Sequence, residues 1–296
     1  WHDDCALYAV RDAGPEGRVL GHVALDLKAR PGKFGHQMVV PLRPALVGGL
    51  PNCCAVLGNM GDADGFLRFR EVETLLHELG HVFHALAGAP KPSILSWAWP
   101  MVPWPGGVEM DFLEVPSMLA QQWVYSEPML AKLAMPSAAD GASIPRAVVK
   151  QLAESRHLLA GVTTARYLAM CAYDMKMHSL DHRDGNPRVA GLWADIYARH
   201  TTLRDVDGTH FASSWYHMAI GYDSAYYGYL WSEIYAVDAF SKFGDDGALD
   251  AALGARLRGA VLEPGAAQTG AAMIEAFLGR APSEAAYFAR LGVAAV

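Results

Sequence analysis

Apolar residues change rhythm once along this chain, near residue 69. Before that point, short runs of branched and aromatic residues alternate with turn-formers. Ala6 to Val10, Val19 to Leu27 and Gln37 to Leu42 read as strands, separated by Gly14-Pro15 with Gly17 and then by Pro31-Gly32. A fourth run, Cys53 to Leu57, lies between Pro51-Asn52 and Gly58. These runs predict a small sheet with at least one strand bordering a site. The Cys53 to Gly58 strand reads either as a partner for an extended peptide or as a buried structural edge. Beyond residue 69, Val72, Leu75, Leu76, Leu79, Val82, Phe83 and Leu86 recur at helical spacing as one apolar stripe. That helix should end near Gly88, with Pro90 beyond it.

A second helix is predicted from about Val108 to Ser126, kinked at Pro116. Helical patterns also cover about 145–180, 188–200, 225–243, 247–261 and 268–280. Residues 89–106, rich in Pro, Trp and Gly, and residues 201–224 read as loops. No repeat, low-complexity tract or linker divides the pattern. The expected architecture is therefore one domain over residues 1–296. It is mainly α with a small β-sheet (α+β), its strands falling within about residues 1–60.

Composition narrows the classes. A net charge of -7 argues against nucleic acid as a partner. The basic stretch Lys28 to Lys33 is broken by Pro31 and Gly32 and reads as a solvated turn. Cys5, Cys53, Cys54 and Cys171 show no C-x-x-C spacing, which suits a reducing compartment, cytoplasmic or organellar. No apolar run reaches the roughly 18 residues that span a bilayer, so no membrane association is expected. The sequence opens at Trp1 with neither Met nor leader, so further sequence is expected upstream. The 52% hydrophobic content suits a large helical core or a face awaiting a partner.

The predicted first helix carries His77-Glu78-Leu79-Gly80-His81, an H-E-x-x-H pattern. Residues four apart differ by about 40° around a helix, so both imidazoles leave one face and can share a zinc ion. Glu78 stands on the shoulder of that face, placed to act as a general base on water. The face opposite the apolar stripe must look into a cleft or into solvent. Glu73, one turn earlier, reads either as the partner that orients His77 or as a plain exposed carboxylate. His84 is disfavoured as a ligand, because one straight helix does not wrap around a metal. The third ligand must come from another element, and the second predicted helix offers Glu109, Asp111 and Glu114. Asp62-x-Asp64-Gly65 and Asp205-x-Asp207-Gly208 carry glycine at the wrong position for calcium loops.

Taken together, His77 to His84 and Val108-Glu109-Met110-Asp111-Phe112-Leu113-Glu114-Val115-Pro116-Ser117 resemble the thimet oligopeptidase and neurolysin family, the M3 metallopeptidases. The segment His217-Met218-Ala219-Ile220-Gly221-Tyr222-Asp223-Ser224-Ala225-Tyr226-Tyr227-Gly228-Tyr229-Leu230-Trp231-Ser232-Glu233 is similar to that family's substrate-side loop and following helix. Trp1 to Asp4, Val10 to Asp12 and Leu25 to Leu27 match its strands, and Leu262 to Gly265 and Gly279 to Pro282 its tail.

The resemblance covers essentially the whole chain. It implies a zincin-like endopeptidase or oligopeptidase acting on peptides, with one zinc ion held by His77, His81 and Glu114. It further implies Tyr229 and His217 as donors to the tetrahedral intermediate. Tyr222 and Tyr226 would contact substrate, on a loop that Gly221 and Gly228 allow to close.

Two departures stand out. The loop between His81 and Glu114 is longer than in the family and holds Trp97, Trp99 and Trp104; it reads as a lid, a subsite or a loop packed on its own domain. Only the family's C-terminal, zinc-bearing half is matched. The absent half, whether lost, trimmed or a separate chain, leads to an expectation of a homo-oligomer or a partner chain. An alternative reading is a catalytically weak peptide-binding or scaffold protein that needs that half. A closed structural zinc site fits poorly with three candidate ligands.

Overall fold

Strands β1 (Ala6–Arg11), β2 (Val19–Asp26), β3 (Met38–Arg43) and β4 (Asn52–Leu57) form one mixed sheet in the order β1-β2-β4-β3. In this computed structural model the described residues are 1–13, 16–45, 50–61, 66–88, 107–133, 144–180, 189–206, 208–244 and 249–293. Each strand matches a predicted run to within a residue at either end. β1 pairs antiparallel with β2, β2 runs parallel to β4, and β3 pairs antiparallel with β4. β4 is therefore interior, bonded along both edges. This corrects both readings of Cys53 to Gly58, as a peptide-pairing strand and as a buried edge, because no edge of that strand is left unpaired. β3 is the terminal strand of the sheet on that side.

Helix α1 (Phe69–Ala87) lies across the sheet. Its Val82 and Leu86 complete a small core with Val23, Val39, Cys54 and Val56. Asn52 on β4 donates from Nδ2 to the Ala85 carbonyl at 2.7 Å, tying strand to helix. Burial around α1 departs from the sequence pattern. Phe83 of the apolar stripe is 48% exposed, whereas Glu78, Gly80, His81 and His84 are buried. The reason is a second partner. Helix α2 (Val115–Gln122) packs on the motif face, so that face is enclosed between two elements.

α2 is shorter than predicted. Residues 110–114 form turns, and a 3-10 turn, Trp123–Tyr125, extends the far end. Pro116 sits in the first turn of α2 instead of kinking a longer helix. A first-turn residue needs no N–H partner, and the fixed φ of proline favours starting a helix there. The remaining helices are α3 (Glu127–Leu133), α4 (Arg146–Glu154), α5 (Ala160–His178), α6 (Val189–His200), α7 (Phe211–Ser214), α8 (Gly228–Ser241), α9 (Ala251–Leu257), α10 (Gly270–Leu278) and α11 (Ala285–Leu291). The 145–180 pattern is thus two helices, separated at Leu159 by a left-handed φ of 57°. Phe112, Leu113, Leu119, Tyr173, Met273 and Phe277 are among the side chains that form the large helical core. Against it, α8 starts at Gly228, where a Cβ would come within 3.0 Å of the Met110 carbonyl. Ser232 Oγ then bonds the Asp111 carbonyl at 2.7 Å, which fixes α8 beside the turn that carries Glu114.

Candidate active site

Gly80 explains how His77, His81 and Glu114 come together from two elements. A Cβ there would lie 2.4 Å from the Pro116 carbonyl oxygen and 2.5 Å from Ser117 Cα. Only glycine lets α1 and α2 approach this closely. At the crossing, Glu114 Nε-facing oxygen Oε2 stands 3.2 Å from His77 Nε2 and 3.1 Å from His81 Nε2. Ligands about 2.0–2.1 Å from a tetrahedral ion lie about 3.3 Å apart, so this spacing fits zinc. Among the described residues, His77, His81 and Glu114 form the group of histidine and carboxylate atoms able to hold a metal, all within 4.8 Å of one another. Glu109 is turned elsewhere, accepting the Gly270 N–H at 2.7 Å. His84 is outside the group, edge-on to Phe112.

The three side chains are coupled electrostatically. Glu114 is 2% exposed. Burial disfavours its charge, but His81 and His77 outweigh burial and hold its pKa well below the usual carboxylate range. Burial alone would lower the His77 pKa; the Glu114 carboxylate reverses this and raises it to about 9. Ser117 Oγ bonds Glu114 Oε2 at 2.9 Å, and the Tyr222 hydroxyl donates to Oε1 at 2.8 Å. Glu78 is buried beside this group, and burial raises its pKa against the lowering influence of His81 and His77. The Val39 backbone N–H of β3 also bonds its carboxylate.

Gln121, not Glu73, orients His77. His77 Nδ1 faces Gln121 Oε1 at 3.3 Å, and Gln121 Nε2 donates to Glu73 Oε1 at 2.8 Å. The Tyr125 hydroxyl reaches the same Glu73 oxygen at 2.6 Å. Glu73 accepts only, so the Gln121 amide must present its NH₂ there and its carbonyl to His77. In the neutral ring this places the proton on Nδ1 and the lone pair on Nε2, the form a metal ligand requires. Sequence reasoning missed Gln121, although Glu114, Ser117, Gln121 and Tyr125 recur at i, i+3, i+7 and i+11. The signal was there as a polar row on the helix that carries the third ligand.

The aromatic loop closes the other side. His217 lies in a 3-10 turn, Tyr216–Ala219, and its ring packs on Tyr222, Tyr226 and Tyr229 at 5.4, 5.3 and 6.0 Å between centroids. Burial lowers the His217 pKa, with Glu114 opposing, so the ring favours its neutral form. Gly221 turns the chain with a φ of 97°, which suits glycine. Tyr222 and Tyr229 stack at 5.0 Å, and the Tyr229 hydroxyl bonds that of Tyr222. Burial raises the pKa of Tyr222, Tyr226 and Tyr229, keeping their hydroxyls protonated. Trp97, Trp99 and Trp104 lie outside the described residues.

The thimet-like oligopeptidase of Dictyostelium discoideum is 31% identical over 99% of this chain and 44% of its own length. Saccharolysin of Saccharomyces cerevisiae is 30% identical over 99% of this chain and 42% of its own. A solved structure, PZ peptidase A with inhibitor 2, superposes with a TM-score of 0.59 at 13% identity, covering 90% of this chain and 42% of that one. The chain thus spans less than half the length of the curated relatives it matches. No described helix is long and apolar enough to cross a membrane. Residues 1–293 match peptidase family M3, and the chain belongs to that family.

Proposed function

We propose that this chain carries the catalytic centre of a zinc-dependent oligopeptidase that hydrolyses internal peptide bonds, with Glu78 as general base. The observation that carries the reading is the convergence of His77, His81 and Glu114 within 4.8 Å of one another, with the Glu78 carboxylate beside them. Zinc held by these three residues would polarise a peptide carbonyl and lower the pKa of water toward about 7. The remaining chemistry belongs to the chain. Glu78 takes the proton from the attacking water and delivers it to the leaving nitrogen. Its raised pKa favours that return. Tyr229 donates its un-ionised hydroxyl to the developing oxyanion, and neutral His217 donates beside it. Tyr222 and Tyr226, on the loop turned at Gly221, contact the substrate. β3, the terminal strand next to Glu78, offers main-chain groups to an extended peptide. The free state of all four cysteines suits a reducing compartment such as the cytoplasm.

The test is a pool of unstructured peptides, from short to protein length, followed by mass spectrometry. Wild type with zinc should cleave internal bonds. Glu78→Gln should not, and chelation should abolish cleavage until zinc is returned. Cleavage that survives either change would overturn the reading. No cleavage at full zinc occupancy, with peptide still bound, would establish the binding-protein alternative instead.

A further inference from the structure

Asp174 on α5 is fully buried, at 0% exposure, and has no place in the chemistry above. A buried carboxylate is costly unless its oxygens are satisfied. Two of the bonds that satisfy it reach 50 residues or more along the chain. Oδ1 accepts the Ser224 N–H at 2.9 Å and Oδ2 accepts the Tyr226 N–H at 3.0 Å. The third is local: His178 Nδ1, one turn along α5, stands 2.8 Å from Oδ1. Ser224 has a left-handed φ of 59°. That conformation is uncommon for serine and carries a backbone cost that nearby bonds can offset. Asp174 supplies such bonds from inside the helical core.

The gripped backbone lies between the aromatic residues of the site. Tyr222 precedes it, with its hydroxyl on Glu114. Tyr226 belongs to it and packs on His217 and on Tyr229 at 5.3 and 5.2 Å. Tyr229 follows and stacks on Tyr222. A shift of the 224–226 backbone would therefore move Tyr222, Tyr226 and Tyr229 and disturb the His217 ring packed on them.

We infer that Asp174 is a positioning residue: it clamps the Ser224–Tyr226 backbone and so sets where Tyr222, Tyr229 and His217 stand over the scissile bond. This rests on the peptidase reading of the site. Asp174 touches neither substrate nor metal ligand and acts through the loop.

Two variants separate positioning from plain stability. Asp174→Asn keeps the shape but sets an NH₂ against a loop N–H, and it alters the contact with His178. His178→Gln removes the imidazole from that contact and leaves both loop bonds. Both should lower the melting temperature similarly. Asp174→Asn alone should lower kcat about ten- to hundredfold with KM changed far less, as misplacement of transition-state groups does. It alone should speed amide exchange in the 220–229 segment, read by mass spectrometry. Equal kcat losses in the two variants, or unchanged exchange in Asp174→Asn, would overturn the inference. If wild type cleaves no peptide, the peptidase reading fails by itself, and amide exchange still decides whether Asp174 holds the loop.

Discussion

The Tyr222 hydroxyl donates to Oε1 of Glu114 at 2.8 Å, while Oε2 of the same carboxylate faces both motif histidines. One oxygen is thus anchored to the aromatic loop, while the other accepts from Ser117 Oγ and is the one turned toward the histidines. Tyr222→Phe keeps the stacked ring and deletes the anchor. Zinc affinity should fall about ten- to hundredfold, as for other outer hydrogen bonds to metal ligands. Competition against a chromophoric chelator measures it. An affinity equal to wild type would mean that Ser117 alone orients the carboxylate.

Gly80→Ala inverts the usual helix rule. In an exposed helix the change would favour folding by about 1 kcal/mol. Here the new methyl meets backbone of α2, at the Pro116 carbonyl and Ser117 Cα, and backbone cannot swing aside. Overpacking of this kind costs about 1–3 kcal/mol or more. The helices must separate, which pulls Glu114 from His77 and His81. Denaturant unfolding should show the loss, and metal analysis should show zinc below one per chain. A variant as stable as wild type and fully loaded would refute the crossing argument.

Local chemistry made much of this molecule legible. The strands, α1 and the paired histidines follow from period and spacing, which depend only on neighbouring residues. Burial did not follow, because it depends on how many partners an element has. The stripe through Phe83 looked like the core face of α1, yet α2 encloses the motif face instead. Pro116 was read as a kink because the true start of α2 is fixed by tertiary packing around Gly80. Asp174 was invisible for the same reason. Its partners Ser224 and Tyr226 lie far along the chain, and an aspartate within a helical pattern reads as solvated.

His84 should make stability depend on acidity. It is 1% exposed, and its Nε2 has no hydrogen-bond partner among the described residues. Burial first, and the neighbouring His81 second, push its pKa down to about 3. The unfolded chain takes up a proton near pH 6.5, the folded chain only near pH 3. Its stabilising contribution is therefore complete above pH 6.5 and is lost as pH falls toward 3, by at most about 1.4 kcal/mol per pH unit. His84→Leu removes the group. Urea unfolding at pH 7.5 and pH 5 should show a smaller acid loss in the variant than in wild type. Identical losses would show that His84 does not set the slope.

Gln121 offers the sharpest division between holding a metal and holding a fold. It links His77 to Glu73, and Tyr125 braces Glu73 from the far side. Gln121→Leu has similar volume but accepts nothing from His77 Nδ1. The ring is then free to turn or to change tautomer, and Nε2 no longer points at the metal with its lone pair. Zinc affinity should drop about tenfold or more. Tyr125→Phe removes one of the two donors to Glu73 and leaves the Gln121 amide in place, so its effect on zinc should be much smaller. Both side chains help pack α2 against α1, so a purely structural role would lower melting temperature and zinc affinity together in both variants. A zinc defect confined to Gln121→Leu, at matched stability, would assign the tautomer of His77 to this one amide.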